Sequence, residues 1–287
     1  MSTSDPLIRD ISDTARWAAV YRAWETERPD ALFRDPFARR LAGARGEQIA
    51  QAMPQGKSLL WPWIARTYLF DQLITQQVKN GADLVVNLAA GLDARPYRMT
   101  LPAALRWVEI DLPGILDFKN EILRSDKPAC ELERIPLDLA DVADRRRIFE
   151  RLGHDARQAL VISEGLIIYF TADEVGSLGH DLARVQGFQH WLLDLASPGL
   201  LRMLQKNWNA QLSQAGAVLR FAPAEGPGFF EPYGWKAIDV RGFLKAAARA
   251  KRVALWMRLL ALLPESKRPP GNRPWAAACL FAKASER

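Results

Sequence analysis

LVVNLAAGLDARPYR, residues 84–98, decides the reading of this chain. Its first five residues form an apolar run broken by Asn87, its middle is a small-residue turn around Gly91, and its end is cationic. An apolar strand running into a glycine turn and then a helix is the nucleotide corner of a Rossmann-like α/β sheet, provided the next strand ends in a carboxylate. The next apolar run does so at Asp111, twenty residues after Gly91. A pyrophosphate-binding turn uses several glycines, so that backbone N–H groups can reach the phosphates. Here Ala89 occupies the first glycine position and Asp93 stands near the last, where its charge would repel phosphate. The corner therefore suits a nucleotide other than a dinucleotide.

Outward from this corner, apolar runs alternate with amphipathic ones, the pattern of βαβ units and a mainly parallel sheet. Strands are predicted at 84–88, 106–110, 132–136, 159–163, 190–195, 235–240 and 276–283. Helices are predicted near 95–99, 114–124, 142–152 and 173–185, from 198 to about 215, and over 242–263. Upstream, apolar positions at helical spacing (Trp17, Val20, Tyr21, Trp24; then Ile64, Tyr68, Leu69, Leu73) predict helices, with Asn80-Gly81 as a stop. The expected architecture is α/β: a doubly wound, seven-stranded, mostly parallel sheet over 81–287, with a helical cap over 1–80. Seven strands with a late pair after a long connection do not fit a six-stranded dehydrogenase sheet.

The 287 residues, 49% of them hydrophobic, can bury one large core. The two cysteines, Cys130 and Cys279, are far apart and read as core thiols of a reducing compartment. Three histidines, at 154, 180 and 190, are too few for a His/Cys-built metal centre, and no metal is expected. The amino terminus lacks the apolar core of a signal peptide and no run is long enough to span a bilayer, so a cytoplasmic protein is expected. The formal charge of +6 resides largely in 145–147, 249–252 and 267–273. No aromatic platform is interleaved with these cations, which read as solvated faces and not as a nucleic-acid footprint.

Four successive strands end in acids: Asp93 after the glycine turn, Glu109 and Asp111, Asp138, and Glu164. Ligands of an open parallel sheet sit at the carboxyl ends of its strands, so these side chains are expected to converge on one acidic crevice. Such a field suits a sulfonium and a ribose diol, which together describe S-adenosyl-L-methionine better than NAD or FAD. Structural readings stand beside each residue. Gly91 serves equally as a strand-to-helix turn, and Asp93, Asp111 and Asp138 serve equally as caps of the following segments. Glu164 interrupts the apolar run ALVISEGLIIYF, where a carboxylate must reach the crevice mouth or find a partner.

Segments 84–98, 107–113 (WVEIDLP) and 160–170 (LVISEGLIIYF) resemble the leucine carboxyl methyltransferase and polyketide O-methyltransferase family of class I S-adenosyl-L-methionine-dependent enzymes. TARWAAVYRAWETERPDALFRDPFARRLAG and ARTYLFD extend the likeness over nearly the whole chain. Ala89 stands where the family usually has glycine, and Ala94 where it has threonine. The resemblance implies Ala89 and Gly91 in the turn under the methionine moiety, Asp111 on the ribose hydroxyls, and Asp138 with Leu139 beside the adenine. It further implies Glu164 near the methionyl ammonium and Arg66 on its carboxylate, a task suited to a guanidinium fork.

The methyl acceptor implied is a small molecule bearing a carboxylate or a phenol. A carboxylate needs no general base at neutral pH, and no histidine is placed to act as one. Tyr21 and Arg22, with Trp17 and Trp24, are expected to cover the acceptor pocket together with Tyr169 and Phe170, although core packing explains Trp17 and Trp24 equally well. The alternatives are a nucleotide-dependent oxidoreductase and a non-catalytic member of the fold. The stretch 242–263, GFLKAAARAKRVALWMRLLALL, also has the composition of an interfacial helix. Its apolar face is expected to pack on the sheet, leaving no membrane role. Oligomeric state is not legible.

Overall fold

The computed structural model describes residues 11–52, 60–214, 216–263 and 271–284. Strands β1 (Leu84–Leu88), β2 (Arg106–Asp111), β3 (Glu131–Pro136), β4 (Ala159–Ser163), β5 (Phe188–Ala196), β6 (Trp235–Gly242) and β7 (Ala276–Lys283) form one sheet. Its order is β3-β2-β1-β4-β5-β7-β6. The first five strands are parallel, and β7 runs antiparallel between β5 and β6. The order reverses between β1 and β4, and that switch point is where an open α/β sheet leaves a crevice.

Strand periodicity divides the core. Leu84, Val86 and Leu88 of β1 face one layer, with Phe149 and Leu152 from α6 (Val142–His154) and Val175, Leu178 and Leu182 from α7 (Ala172–Arg184). Val85 faces the other, with Trp107 and Leu160, against Leu69, Phe70 and Leu73 of α3 (Leu60–Lys79) and Phe243 and Ala247 of α9 (Phe243–Arg249). Each fully buried Leu, Val or Phe in these layers contributes about 1.5–3 kcal/mol through lost apolar hydration. Thr171 begins α7 with a reciprocal capping box to Glu174, which fixes where the helix starts.

Two helices differ from the sequence expectation. Helix α3 falls within the expected cap by its position, yet it is a covering layer of the sheet. The cap proper is α1 (Ile11–Thr26) with α2 (Ala38–Ala52), packed on α5 (Pro113–Leu123) and α8 (Pro198–Gln214) through Trp17, Tyr21, Leu41, Ile115 and Trp208. The stretch 242–263 is also not one helix. β6 runs on to Gly242, α9 ends at Arg249, and α10 (Leu255–Leu260) starts afresh. Lys251 adopts a left-handed φ of 57°, and the Arg252 N–H donates to the Ala247 carbonyl at 2.8 Å, closing α9 as a lysine in place of the usual glycine. Arg252 turns toward the fully buried Glu25, 227 residues away in sequence, and pairs with it at 2.8 Å. No local pattern reports such a partner.

Candidate cofactor and acceptor site

A cavity of about 2150 Å³ opens at the carboxyl ends of the parallel strands. Its lining includes Ala89 and Gly91 after β1, Asp111 at the end of β2, Asp138 and Leu139 after β3, Glu164 after β4, and Arg66 from α3. All seven residues assigned to the cofactor therefore lie on one cavity. Asp111 Oδ2 accepts the Gly91 N–H at 2.6 Å and Oδ1 accepts that of Leu112 at 2.7 Å. Burial raises the Asp111 pKa above the ordinary carboxylate value, opposed by these two donors. Asp138 accepts the Ala140 N–H at 2.9 Å, a local turn, while the cap of α6 is Asp141.

The turn itself is held in left-handed backbone. Ala89 has φ 51° and Gly91 φ 49°. An alanine in that region is strained by about 1–2 kcal/mol, which accounts for glycine at this position in the resembling family. Asp93 stands one residue before Ala94, the N-cap of the short helix α4 (Arg95–Arg98). Its Oδ1 accepts the Arg95 N–H at 2.8 Å, two residues on, and Oδ2 takes the Arg95 guanidinium at 2.8 Å and the Asn87 amide at 2.9 Å. Burial would raise its pKa, but Arg95, Lys119 and Arg98 outweigh that and bring it down to about 2.

The acidic crevice expected from the sequence is largely neutralised. Arg95 joins Asp71 at 2.7 Å, Asp93 at 2.8 Å and Glu164 at 2.7 Å, and it is almost fully buried. Arg66 joins Glu164 at 3.0 Å and Asp194 at 3.3 Å, with its guanidinium over the Trp63 ring. Burial opposes the charge on Arg66, yet Asp194 and Glu164 hold it more firmly protonated than a free arginine. Glu109 does not reach the crevice at all. It is fully buried, paired with Lys119 at 2.7 Å and Arg134 at 2.8 Å. Residues two apart on a strand share a face, so Glu109 and Asp111 lie on the same side of β2 and differ in their distance from its carboxyl end. Asp111 ends the strand and reaches the cavity, whereas Glu109, set back within it, is taken up by its two cations. Among the described residues, the lining acids without an ion pair are Asp111, Asp138 and the exposed Glu225.

Three of the four acceptor-side residues, Arg22, Tyr169 and Phe170, line the cavity. Tyr21 does not. It is 1% exposed, its ring packs tilted and edge-on among Trp17, Trp24 and Trp63, and burial pushes its phenol up to about 12. Arg22 is one position further along α1 and so points away from that cluster. Its guanidinium donates to the Leu92 carbonyl at 2.6 Å and to Asp35 at 2.8 Å. Sequence reasoning missed Arg95, Asn87 and Asp194. The signal for Asp194 was present, since it is a carboxylate inside the apolar run WLLDLA.

The pair Arg66–Glu164 offers a cation and an anion side by side, and Asp111 offers a carboxylate on a glycine turn. This donor set fits the amino-acid zwitterion and the ribose diol of S-adenosyl-L-methionine. A doubly wound seven-stranded sheet with this site at its switch point defines a class I S-adenosyl-L-methionine-dependent methyltransferase. Residues 15–183 match the family described as leucine carboxyl methyltransferase, and the chain belongs to it. A Streptomyces coelicolor protein assigned to the S-adenosyl-L-methionine-dependent methyltransferases is 30% identical over 272 residues, 90% of this chain and 92% of the relative. A Frankia alni protein with the same assignment is 33% identical over 237 residues, 78% of this chain and 82% of its own. Two crystal structures share the fold. One is a DUF574 family protein of Streptomyces avermitilis, with TM-score 0.59 and 11% identity over 94% of this chain and 97% of that one. The other, from Thermobifida fusca and assigned as a methyltransferase, has TM-score 0.58 and 16% identity over 97% and 96%. Family membership removes the oxidoreductase alternative.

Gly165, after β4, tests the arrangement. It has φ +70°, and a Cβ there would come within 3.0 Å of Arg66 Nη1. Gly165→Ala is expected to displace Arg66 and to cost about 1–2 kcal/mol of backbone strain. Calorimetry should show weakened S-adenosyl-L-methionine binding. Gly114→Ala in α5, where a Cβ meets nothing within 4 Å, should leave affinity unchanged.

Proposed function

We propose that the protein is an O-methyltransferase for a small acceptor carrying a carboxylate or an acidic phenol. The observation that carries this reading is the lining of the cavity. Among the described residues it contains no histidine, and Arg22, Arg66, Arg95, Glu164 and Asp194 are already committed to partners. Of the lining carboxylates without an ion pair among the described residues, Asp111 and Asp138 are assigned to the cofactor and Glu225 is exposed at the surface, whereas a carboxylate acceptor arrives ionised and needs no base. Burial keeps the Tyr169 phenol protonated well above neutral pH, so it can donate a hydrogen bond to orient an acceptor oxygen.

Bound S-adenosyl-L-methionine supplies an electrophilic methyl group and a thioether leaving group. The chain's own work is to hold and align. Asp111 would accept from the ribose hydroxyls, Arg66 would take the methionyl carboxylate and Glu164 the ammonium, while Asp138 and Leu139 would border the adenine. Ala89 and Gly91 would present the backbone of the turn. Alignment and exclusion of water are the main demands of such a displacement. The cavity exceeds the about 300–1,000 Å³ of an ordinary ligand pocket, leaving room for an acceptor beside the cofactor. Apolar side chains such as Ile168, Leu204 and Trp208 wall the acceptor end.

A screen with methyl-labelled S-adenosyl-L-methionine against small carboxylic acids and phenols tests this reading. The expected product is a methyl ester or aryl ether, released as methanol by mild base in the ester case. Labelled product appearing on nitrogen or carbon acceptors alone would overturn O-methylation. Tight cofactor binding with no product from any acceptor class would favour a non-catalytic member of the family.

A further inference from the structure

The sequence expectation that the apolar face of 242–263 packs on the sheet holds for α9, through Phe243 and Ala247, and fails for the segment that follows. Leu255, Trp256, Leu259, Leu260, Leu262 and Leu263 are between 49 and 79% exposed. They recur at spacings of three and four, so they form adjoining rows on α10 and the turn after it. The same segment closes one end of the cavity, which Trp256, Met257, Leu260 and Leu263 line. An exposed apolar cluster of this kind marks an interaction surface.

Charge selects the partner. Residues 240–263 contain six cations and no acid. Arg241 is held by Asp239, and Arg252 by Glu25 and Asp30. Arg249, Lys251 and Arg258 make no ion pair among the described residues, and Arg249 and Lys251 are exposed. A second copy meeting this patch about a two-fold axis would set these cations against themselves. An anionic bilayer has the opposite charge, and its interface favours tryptophan and leucine beside arginine and lysine. No described helix is long and apolar enough to cross a membrane, so the attachment is peripheral.

We propose that residues 255–263 dock the enzyme on an anionic lipid surface, with their apolar side chains entering the acyl boundary and Arg249, Lys251 and Arg258 meeting headgroup phosphates. This goes beyond methyl transfer and does not rest on the identity of the acceptor. The test is cosedimentation of the full chain with phosphatidylglycerol–phosphatidylcholine vesicles and with phosphatidylcholine alone. Binding is expected to the first and not the second, and to weaken as salt is raised. Leu255, Leu259 and Leu262 do not line the cavity. Their combined replacement, Leu255→Glu, Leu259→Glu and Leu262→Glu, should lower vesicle affinity at least about tenfold. Unchanged S-adenosyl-L-methionine affinity and melting temperature are its controls for folding. Should that variant fail to fold, Arg249→Gln with Lys251→Gln is expected to weaken vesicle binding and flatten its salt dependence. Absence of binding to anionic vesicles at low salt would overturn the proposal. So would binding that both sets of replacements leave intact, or a dimer in sedimentation velocity that the leucine replacements dissolve while the vesicles stay bare.

Discussion

Arg95→Met is expected to destabilise the fold by about 3–5 kcal/mol at neutral pH, because removing one partner of a buried ion pair leaves uncompensated charge. Here three carboxylates lose a cation at once: Asp71, Asp93 and Glu164, all within 2.8 Å of the guanidinium. Arg98 still binds Asp71 through both oxygens at 2.7 Å, so Asp93 and Glu164 bear most of the loss. The melting temperature should fall by about 10 °C, on the scale of about 2–4 °C per kcal/mol for a large domain. The deficit should also depend on pH. Asp93 titrates near 2 in the folded chain, below its unfolded value of 3.8. Its contribution is therefore full above the unfolded value and is lost as pH falls through the interval down to about 2. In Arg95→Met that depression largely disappears, so the variant and the parent should converge in stability as the pH approaches about 2. Melting curves at pH 7 and in acid decide the matter, and a neutral-pH melting point within 3 °C of the parent would contradict it.

Asp111→Ala carries the largest expected effect on ligand binding. Hydrogen bonds to a charged group are worth about 1.5–3 kcal/mol each, so losing the carboxylate should weaken S-adenosyl-L-methionine by roughly 30- to 100-fold. Part of this loss comes from the turn, since the same carboxylate holds the Gly91 N–H at 2.6 Å. Asp111→Asn separates the two effects, because an amide oxygen still accepts that N–H but brings no charge to the ribose diol. Calorimetry with both variants should rank them parent, Asn, Ala. Unchanged affinity in Asp111→Ala would remove the ribose assignment. The pH dependence has the opposite sign from that of Asp93. Burial raises the Asp111 pKa, so the folded chain binds this proton more tightly than the unfolded chain does. Protonation of Asp111 thus favours the fold as pH falls through the region just above the ordinary carboxylate value, while cofactor affinity declines there.

The strand and helix frame was legible because it is written in periodicity. Alternate residues of β1 face opposite core layers, and the apolar runs report this without reference to distant residues. The offset of twenty residues between Gly91 and Asp111 was legible for a related reason. One βαβ step has a nearly fixed length, and the register Leu88 opposite Ile110 brings the two strand ends together. Single-residue orientation was less secure. Tyr21 and Arg22 are neighbours on α1, yet one is sealed in the aromatic cluster and the other lines the cavity.

The sequence by itself determined the sheet, the family and the position of the cofactor corner, because backbone pattern and motif spacing are local properties. Tertiary structure alone decided the electrostatics of the site. Arg66 meets Glu164 and Asp194 across 98 and 128 residues, and Glu25 draws Arg252 away from a continuous helix across 227. A buried charge settles wherever folding brings its counter-ion, and that pairing is not encoded in any window of neighbouring residues. The crevice that looked acidic along the chain is, in three dimensions, largely a matched set of cations and anions.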